Sequence, residues 1–328
     1  MKKRLRNAMS EITIIGGCNI DIEGSPDGKL IRQDSNIGKI NIAYGGVGRN
    51  ICENVARMGG SVSFLSVIGD DAWGKGAIEM LAALGVDTSA VKRIEGESTS
   101  MYLCVMDENS DMEVGINDMD IVKHITPEYL KEHENELKAS KVAALDGNLE
   151  EDIIRFATDM LNGVKLFYDP VSKNKAYRAK NVIGRFYAVK PNLIEAEVLT
   201  GMTINGEEDV KRAGRILLDK GVRMVFITLN KDGVYFVGKN DDEKIDEGFL
   251  RPLPGITPLS TTGCGDSFSA CVLLGIAAGM NIRQIAELGM AASSVTIQSE
   301  SAVNPEINME LVRGRMAELI GQEKDHAF

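Results

Sequence analysis

The stretch ITIIGGCNID, residues 12–21, decides the fold class of this chain. It opens with a continuous run of apolar and β-branched residues and closes with two glycines and polar side chains. A continuous apolar run is typical of a parallel strand that is covered on both faces. Asn19 and Asp21 follow at the carboxyl end of that strand, where open α/β sheets bind ligands. Being two residues apart, their side chains can face the same crevice, and they suit a sugar diol.

Similar short runs recur along the chain and alternate with longer helical patterns. The other predicted strands of this kind span 61–69, 141–145, 165–170, 186–192 and 224–229. The predicted helices lie near 47–59, 71–84, 127–139, 149–162, 206–220, 264–279 and 283–298. This alternation predicts an α/β fold with a doubly wound, mostly parallel sheet flanked by helices.

Two segments, 20–45 and 98–118, interrupt the alternation. The second predicts a hairpin whose strands flank the turn residues Asp107 to Asp111. We expect the two segments to form a small β lid inserted into an α/β domain. That domain comprises residues 10–19, 46–97 and 119–328. The alternative is that both segments add strands to the edge of the main sheet.

The composition describes a globular protein that binds neither a membrane nor a nucleic-acid polymer. Hydrophobic residues make up 44% and charged residues 26% of the 328 residues. Acidic residues outnumber basic ones, 48 to 37, and no basic stripe interleaves with aromatic residues, which argues against nucleic acid. No run reaches the roughly 18 apolar residues of a membrane span. The basic opening of the chain lacks the apolar core of a signal peptide, and we read it as an end before the first strand.

The cysteines and histidines show no metal or disulfide pattern. The five cysteines contain no CxxC pair, which in a chain of this length indicates reduced thiols in a cytosol. The three histidines lack the spacing of metal ligands, which argues against a zinc site. We therefore expect a soluble, cytoplasmic protein.

The segment STTGCGDSF, residues 260–268, carries the strongest sign of chemistry. Gly263, Cys264 and Gly265 directly precede an apolar helix, where backbone N–H groups at the positive end of the helix dipole can hold an anion. Asp266 follows in the first helical turn, close enough to accept a proton from a hydroxyl that attacks a phosphoryl group. The alternative is a plain N-terminal cap in which the carboxylate only complements the dipole.

A second glycine loop, GGVGRN at 45–50, also opens a predicted helix. Gly45 and Gly46 would let a ligand approach the backbone closely. Arg49 and Asn50 would then offer hydrogen bonds to a ligand rich in hydroxyl groups. The alternative is a tight turn that packs on the sheet.

These motifs together resemble those of the ribokinase-like (PfkB) carbohydrate kinases. GGVGRN resembles the first signature of that family, and TTGCGD at 261–266 resembles the second. The strings GCNID, KPNLIEAE at 190–197 and ITLNKDGVYF at 227–236 match further family motifs in the same order. The likeness covers nearly the whole chain. It implies a ribokinase-like fold and a kinase that moves the γ-phosphoryl group of ATP onto a hydroxyl.

The resemblance also implies a role for each matching residue. Asp266 would be the catalytic base beside an anion hole made by the amides of residues 263–265. Asn192 and Glu195 would organise Mg²⁺ and its waters around the phosphates of ATP. The residues implied to hold the ribose-like part of the acceptor are Asn19, Asp21, Gly45, Gly46, Arg49 and Asn50. Those implied at the nucleotide are Asn192, Thr228, Gly233, Thr262, Gly263, Gly265 and Asn304.

Two positions depart from the family pattern. Ser260 stands where the family usually has aspartate, at a position associated with a monovalent-cation site, so a requirement for potassium stays open. Cys264 replaces a usual alanine, which preserves the backbone donor and adds a thiol, so the sensitivity of this position to oxidation stays open.

Two strings in the lid segments, DSNIGKI and INDMDI, are similar to those of pseudouridine kinases within the family. Their polar side chains supply donors and acceptors that can read the edge of a uracil ring. The side chains expected to do so are Ser35, Asn36, Asn117 and Asp118. The alternative is that they are turn residues, since Asn and Asp favour turns.

Two other functions compete with a pseudouridine kinase. One is a related kinase that acts on ribose, on another sugar or on a purine nucleoside. The other is a nucleotide-binding regulatory protein without activity, against which Asp266 and its complete glycine cradle argue. Exposed apolar strands in the lid favour a homodimer formed through the lid.

Overall fold

The structure is a computed structural model that describes residues 10–109, 111–240 and 242–325. The opening segment 1–9, interpreted above as an end before the first strand, lies outside the described residues. Ser110, within the predicted turn of the hairpin, also lies outside them.

Strands and helices alternate along most of the described chain. The strands are β1 (Ile12–Ile15), β2 (Asn19–Pro26), β3 (Gly38–Gly45), β4 (Val62–Leu65), β5 (Val67–Gly69), β6 (Lys92–Ile94), β7 (Ser100–Met106), β8 (Met112–Asp118), β9 (Val142–Asp146), β10 (Lys165–Asp169), β11 (Ala188–Val189), β12 (Met224–Thr228), β13 (Val234–Lys239) and β14 (Ile245–Leu250). The helices are α1 (Val47–Arg57), α2 (Ala72–Ala83), α3 (Pro127–Glu132), α4 (Glu134–Ala139), α5 (Glu151–Met160), α6 (Lys173–Ala176), α7 (Leu193–Thr200), α8 (Glu207–Asp219), α9 (Cys264–Ala277), α10 (Ile282–Thr296) and α11 (Met309–Asp325).

The main sheet has eight strands in the order β14-β13-β12-β11-β10-β9-β1-β4. The pairs from β4 across to β12 are parallel, whereas β13 and β14 add an antiparallel edge. Helices cover both faces, and the predicted α/β fold with a doubly wound, mostly parallel sheet is confirmed. Within the described residues, no helix has both the length and the apolar character needed to cross a bilayer.

Alternating side chains of the central strands feed two separate hydrophobic cores. Ile12 and Ile14 point into the core formed with α1, α9 and α10, whereas Ile15 points into the core formed with α5, α7 and α8. Thr13, the polar member of β1, is buried, and its hydroxyl contacts the hydroxyl of Ser140 at 2.5 Å. The continuous apolar run in the sequence therefore reflects burial on both faces of the sheet.

The two segments that interrupt the alternation form a separate four-stranded sheet in the order β3-β2-β7-β8. The predicted hairpin is present as the antiparallel pair β7 and β8. Strand β2 runs directly on from the loop after β1, so this sheet begins at the carboxyl edge of the main sheet. We call it the lid sheet.

The structure differs from the predicted elements where local chemistry stops a strand or a helix. The strand predicted at 186–192 pairs only over β11, because Pro191 has no N–H to donate. Asn192 then caps α7, a helix that the sequence analysis did not predict. The helix predicted at 127–139 opens at the expected Thr126 cap but breaks into α3 and α4 at His133. The C-terminal α11 and the edge strand β14 were also missed.

A buried carboxylate joins the loop after β1 to the start of α1. Asp146 ends β9, and its Oδ2 accepts hydrogen bonds from the backbone N–H groups of Gly17 and Gly48, each at 2.9 Å. Asn148 completes the set with its backbone N–H on Oδ1 and its Nδ2 on Oδ2. Gly16 and Gly48 are required as glycines here, because a Cβ on Gly16 would lie 2.4 Å from Oδ2 of Asp146 and a Cβ on Gly48 would lie 2.9 Å from Cα of Gly16.

We expect Asp146→Asn to lower the free energy of unfolding by about 2–3 kcal/mol, since the new amide cannot accept all of the buried N–H bonds. Urea denaturation measures the change. The matched control is Asp219→Asn on the exposed side of α8, which should stay within about 0.5 kcal/mol of the parent. Equal midpoints for the parent and Asp146→Asn would contradict this role.

Candidate active site

The two glycine motifs meet at one side-chain hydrogen bond. Nδ2 of Asn50, in α1, donates to Oδ2 of Asp266, in the first turn of α9, at 2.7 Å. The residues are 216 positions apart in the sequence. The fold thus brings together the residues at the centre of both predicted motifs.

The start of α9 depends on Gly263. This residue has a φ of 80°, and a Cβ on it would lie 1.7 Å from the carbonyl oxygen of Ala302. Only glycine fits both conditions. The helix therefore begins at Cys264, and its first backbone N–H groups, which lack partners inside the helix, lie beside Asp266. The amide of Cys264 also makes a long contact of 3.4 Å with the carbonyl of Thr261.

A buried lysine lies directly behind this helix start. Nζ of Lys190 is 3.3 Å from Oδ2 of Asp169, and it is also 3.3 Å from the position of a Cβ on Gly265. The Ser269 hydroxyl donates to the same Asp169 oxygen at 2.7 Å. Burial lowers the pKa of Lys190, but the surrounding carboxylates, chiefly Asp169, raise it above its ordinary value overall. The lysine is therefore charged beneath the anion cradle.

The pKa of Asp266 is raised to about 7, mainly by burial among protein atoms and next by the negative charge of Asp169. The hydrogen bond from Asn50 and the positive charges of Lys190 and Arg49 oppose this shift. The side chain still keeps part of its surface open to the crevice. A carboxyl group with such a pKa is suited to exchange protons at neutral pH.

Asn192 and Glu195 form a capping box at the start of α7. Oδ1 of Asn192 accepts from the backbone N–H of Glu195, and Oε2 of Glu195 accepts from that of Asn192, both at 2.9 Å. Thr228 lies alongside, bridged to Asn192 through the backbone. The described residues contain no group of three or more acidic, histidine or cysteine side chains that could hold a metal. This donor set fits Mg²⁺ only through water, which that cation readily retains.

The glycines of the GGVGRN loop make room for other parts of the chain. Gly46 has a φ of 96°, and a Cβ on it would lie 2.5 Å from the carbonyl oxygen of Gly17. A Cβ on Gly45 would lie 2.1 Å from Oδ2 of Asp21. The carboxylate of Asp21 therefore sits against this loop, where Nδ2 of Asn19 donates to it at 2.6 Å. The tight-turn alternative thus describes Gly46 well.

The lid sheet places Asp21, Tyr102 and Asn117 in one row, because they are register partners across β2, β7 and β8. Partnered side chains share a face of the sheet, and this is the face of Asp21 and Asn19. Tyr102 was missed in the sequence analysis, although it stands at alternate spacing from Ser100 on the same strand. Ser100 is buried, and its hydroxyl has no hydrogen-bond partner in the described structure.

Asp118 does not share that face, which corrects the expectation that it lies beside Asn117 at the substrate. It is the partner of Met101 and thus belongs to the opposite face of the sheet, since successive side chains alternate. The sequence analysis treated the two neighbours as equivalent because it did not apply this alternation to the hairpin.

Arg49 is also not free to bind an acceptor directly. Its buried guanidinium donates from Nη1 to Oε2 of Glu53 at 2.7 Å, and from Nη2 and Nε to Oδ1 of Asn50 at 2.6 and 3.2 Å. Only 3% of the surface of Arg49 is exposed, so the side chain offers little contact to a ligand in the crevice.

Two asparagine side chains that were predicted to contact ligands instead form hydrogen bonds to nearby backbone groups. Asn36 donates to the carbonyl of Ile31 at 2.9 Å and accepts from its N–H at 2.8 Å, which is the turn alternative, and Ser35 in the same loop is exposed. Asn304 donates to the carbonyl of Val295 at 2.8 Å and accepts from the N–H of Glu306 at 2.9 Å. The side-chain amides of Asn36 and Asn304 are therefore already hydrogen bonded within the protein, and they are not free to bind the base or the nucleotide as the sequence analysis expected.

Two further residues, Gly233 and Thr262, were predicted to border the nucleotide, and Cys264 was singled out for its thiol. Gly233 has a φ of 94° and approaches the carbonyl of Leu250, so its glycine identity has a structural reason. Thr262 is exposed, and its N–H donates to the Ser260 hydroxyl at 3.1 Å. Burial raises the pKa of Cys264 to about 11. The thiol therefore stays protonated at neutral pH, which argues against a reactive thiolate at this position.

Asp169 and Lys190 are the charged residues that sequence analysis missed. The sequence feature that could have identified them is their position at a strand end. Asp169 is the last residue of the strand KLFYD, and Lys190 comes directly after the next strand, Ala188–Val189. Both therefore lie at the carboxyl edge of the sheet, where ligands of α/β folds bind.

Comparison with known proteins matches this geometry to a family. The sequence model described as pfkB family carbohydrate kinase matches residues 9–308. The chain is 32% identical to the pseudouridine kinase of Escherichia coli, over 91% of this chain and 94% of that protein. It is 25% identical to the guanosine-inosine kinase of Exiguobacterium acetylicum, over 91% and 98% of the two chains. It is 26% identical to the ribokinase of Haemophilus influenzae, over 80% and 83%.

Solved structures show the same fold. A carbohydrate kinase from Agrobacterium tumefaciens superposes with a TM-score of 0.80 at 25% identity, covering 95% of this chain and 98% of that one. The Arabidopsis thaliana ribokinase, solved with ribose and ATP, gives a TM-score of 0.81 at 19% identity, covering 94% and 99%. The chain belongs to the pfkB family of carbohydrate kinases, which are phosphotransferases with an alcohol group as acceptor.

Proposed function

We propose that this protein transfers the γ-phosphoryl group of ATP to the 5′-hydroxyl of pseudouridine and releases pseudouridine 5′-monophosphate. The observation that carries the proposal is the row of Asp21, Tyr102 and Asn117 on one face of the lid sheet. A carboxylate there suits a ribose diol, while an aromatic ring and an amide suit a base. The similarity to a pseudouridine kinase supports the same choice.

Asp266 is the proposed catalytic base. Its carboxylate accepts the proton of the 5′-hydroxyl as that oxygen attacks the phosphoryl group. The hydrogen bond from Asn50 holds one carboxylate oxygen, which fixes the orientation of the other. The first backbone N–H groups of α9 and the ammonium group of Lys190 stabilise the negative charge of the transferred group.

The opposite side of the cradle receives ATP. Thr228, Gly233 and Thr262 border the nucleotide in this proposal, and Asn192 and Glu195 hold Mg²⁺ through water. Mg²⁺ supplies positive charge at the phosphates of ATP. The burial of Glu195 raises its pKa, as does Asp169, whereas Lys190 lowers it.

Selectivity for the base comes from hydrogen bonds in the lid. Pseudouridine carries a free N1–H that uridine lacks, and the carbonyl oxygen of the Asn117 side chain is the proposed acceptor for it. A site that depends on one such hydrogen bond rejects an analogue without it by a factor of up to about 10⁴. Shape alone discriminates far less.

We expect Asp266→Asn to lower kcat by about a hundredfold or more, because the amide cannot accept the proton. Steady-state kinetics with Mg-ATP measure the loss. Binding of ADP, followed by calorimetry, should stay close to the parent value and shows that the variant is folded. A variant with near-normal kcat would remove Asp266 from the chemical step.

The substrate is tested by kcat/KM for pseudouridine, uridine, guanosine and ribose. We expect pseudouridine to exceed the others by orders of magnitude, and Asn117→Ala to reduce that preference. Asp118→Ala is the matched control, because the adjacent side chain lies on the other face of the lid sheet. It should leave the preference unchanged.

The other outcomes of this panel are equally specific. Preferred turnover of ribose or guanosine would reject pseudouridine as the acceptor and leave a kinase of the same family. Equal losses in Asn117→Ala and Asp118→Ala would reject the role of the polar face. If none of these acceptors is phosphorylated in the presence of Mg-ATP, pseudouridine kinase activity is rejected. That outcome would favour the alternative of a nucleotide-binding regulatory protein.

We also propose that the opposite face of the lid sheet pairs with a second copy of the chain. That face exposes large apolar side chains, which in a single copy would meet water. They are Ile40, Ile42, Leu103, Val114 and Ile116. The partner in this proposal is a homodimer.

We expect the parent protein to sediment at twice the mass of one chain and Ile116→Lys to sediment as one chain, because a charge on this face opposes its burial. Lys39→Ala, a change on the polar face, is the control and should remain dimeric. A parent protein that sediments as a single chain would rule out the dimer.

A further inference from the structure

We propose that Arg49 is a positioning residue, which holds the Asn50 side chain in the one orientation that lets its Nδ2 hydrogen bond to Asp266. The inference rests on the proposed function of Asp266 as the base. It deepens that function by assigning a task to a buried charge that does not itself contact the acceptor.

The hydrogen bonds of Asn50 define its orientation at both ends. Its Oδ1 accepts two N–H groups from Arg49, at 2.6 and 3.2 Å, and its Nδ2 donates to Asp266 at 2.7 Å. An amide offers acceptors only on oxygen and donors only on nitrogen. Rotation by half a turn would place its oxygen against the carboxylate and its NH₂ group against the guanidinium, so both contacts would be lost.

Arg49 is itself held in place along α1. Glu53, one turn later, accepts from Nη1 of Arg49 through Oε2 at 2.7 Å. Arg49 and Glu53 are both buried, with 3% and 4% of their surface exposed. The guanidinium thus has little freedom to leave Asn50.

Arg49 also belongs to the charges that surround Asp266. Asn50 and Arg49 face the carboxyl from α1, Asp169 faces it from the end of β10, and Lys190 faces it from the turn after β11. The positive charge of Arg49 favours the ionised form of Asp266, which is the form that accepts a proton. Removing that charge therefore raises the pKa of Asp266, and the rate declines at a higher pH than in the parent.

Two substitutions separate the geometry from the charge. Arg49→Lys keeps the charge and removes the planar fork, so kcat should fall about tenfold or more with the KM for ATP unchanged. The acid limb of kcat/KM should also move to higher pH, because the hydrogen bond from Asn50 that lowers the pKa of Asp266 is lost. Arg49→Gln removes both the fork and the charge, so kcat should fall similarly while the acid limb moves further to higher pH. In the parent, that limb should lie near pH 7.

Arg57 provides the matched control, because it binds the same Glu53 without reaching Asn50. Arg57→Lys and Arg57→Gln should keep kcat within about twofold of the parent and leave the acid limb in place. A folded Arg49→Lys variant with kcat within twofold would overturn the proposal. So would a rise in the KM for the nucleoside alone, since that pattern means direct binding of the acceptor.

A second measurement needs no acceptor and thus separates this inference from the proposed function. The NMR signals of the Asn50 NH₂ group, assigned by their loss in Asn50→Ala, should shift with pH as Asp266 titrates near pH 7. Their midpoint should rise in Arg49→Lys, which keeps the charge but not the fork that orients Asn50, and stay in place in Arg57→Lys. An unchanged midpoint in Arg49→Lys refutes the positioning role, even if pseudouridine proves to be the wrong substrate.

Discussion

The site depends on the buried carboxylate of Asp146. Its two oxygens collect backbone N–H groups from the loop after β1, the start of α1 and the turn after β9, which would otherwise have no reason to lie together. The distance between the loop and the helix is short enough that only glycine is tolerated at Gly16 and Gly48. Once this contact is made, it sets where the next elements begin. Strand β2 of the lid sheet begins at Asn19, and the first turn of α1 places Asn50 beside Asp266 at the start of α9.

Charge in the crevice is kept close to balance rather than made strongly positive. Lys190 lies among Asp169, Glu195 and Asp266, so this buried ammonium group faces three carboxyl groups. Burial, and next the negative charge of Asp169, raises the pKa of Asp266 to about 7. A site of this kind binds a phosphate chain well only when further positive charge arrives with it, as in the magnesium complex of ATP. The net charge of −11 is compatible with this local arrangement.

Sequence reasoning reached the fold and the centre of the site because both rest on local patterns. Continuous apolar strands predicted the doubly wound sheet, and the two glycine motifs predicted Asp266 and Asn50. Lys190 was missed because its position after a strand becomes informative only once the strands are aligned at one edge of the sheet, and the local sequence does not show that the lysine is buried. Arg49 was misassigned for a related reason, since the partner that occupies it, Glu53, is recognisable only once the helix places both on one buried face. Asp118 required the register of the hairpin.

The alternation of the lid sheet constrains how its specificity can change. Side chains of one parity, such as Asp21, Tyr102 and Asn117, face the polar side, and those of the other parity, such as Ile116, form the apolar side. Substitutions at positions that face the polar side can therefore alter the accepted substrate without disturbing the apolar surface. Inserting or deleting a single residue within β7 or β8 would exchange the two sets. Lineages that diversify their acceptors by this sheet are thus expected to keep strand length constant, with length variation confined to the 27–37 loop and the hairpin tip.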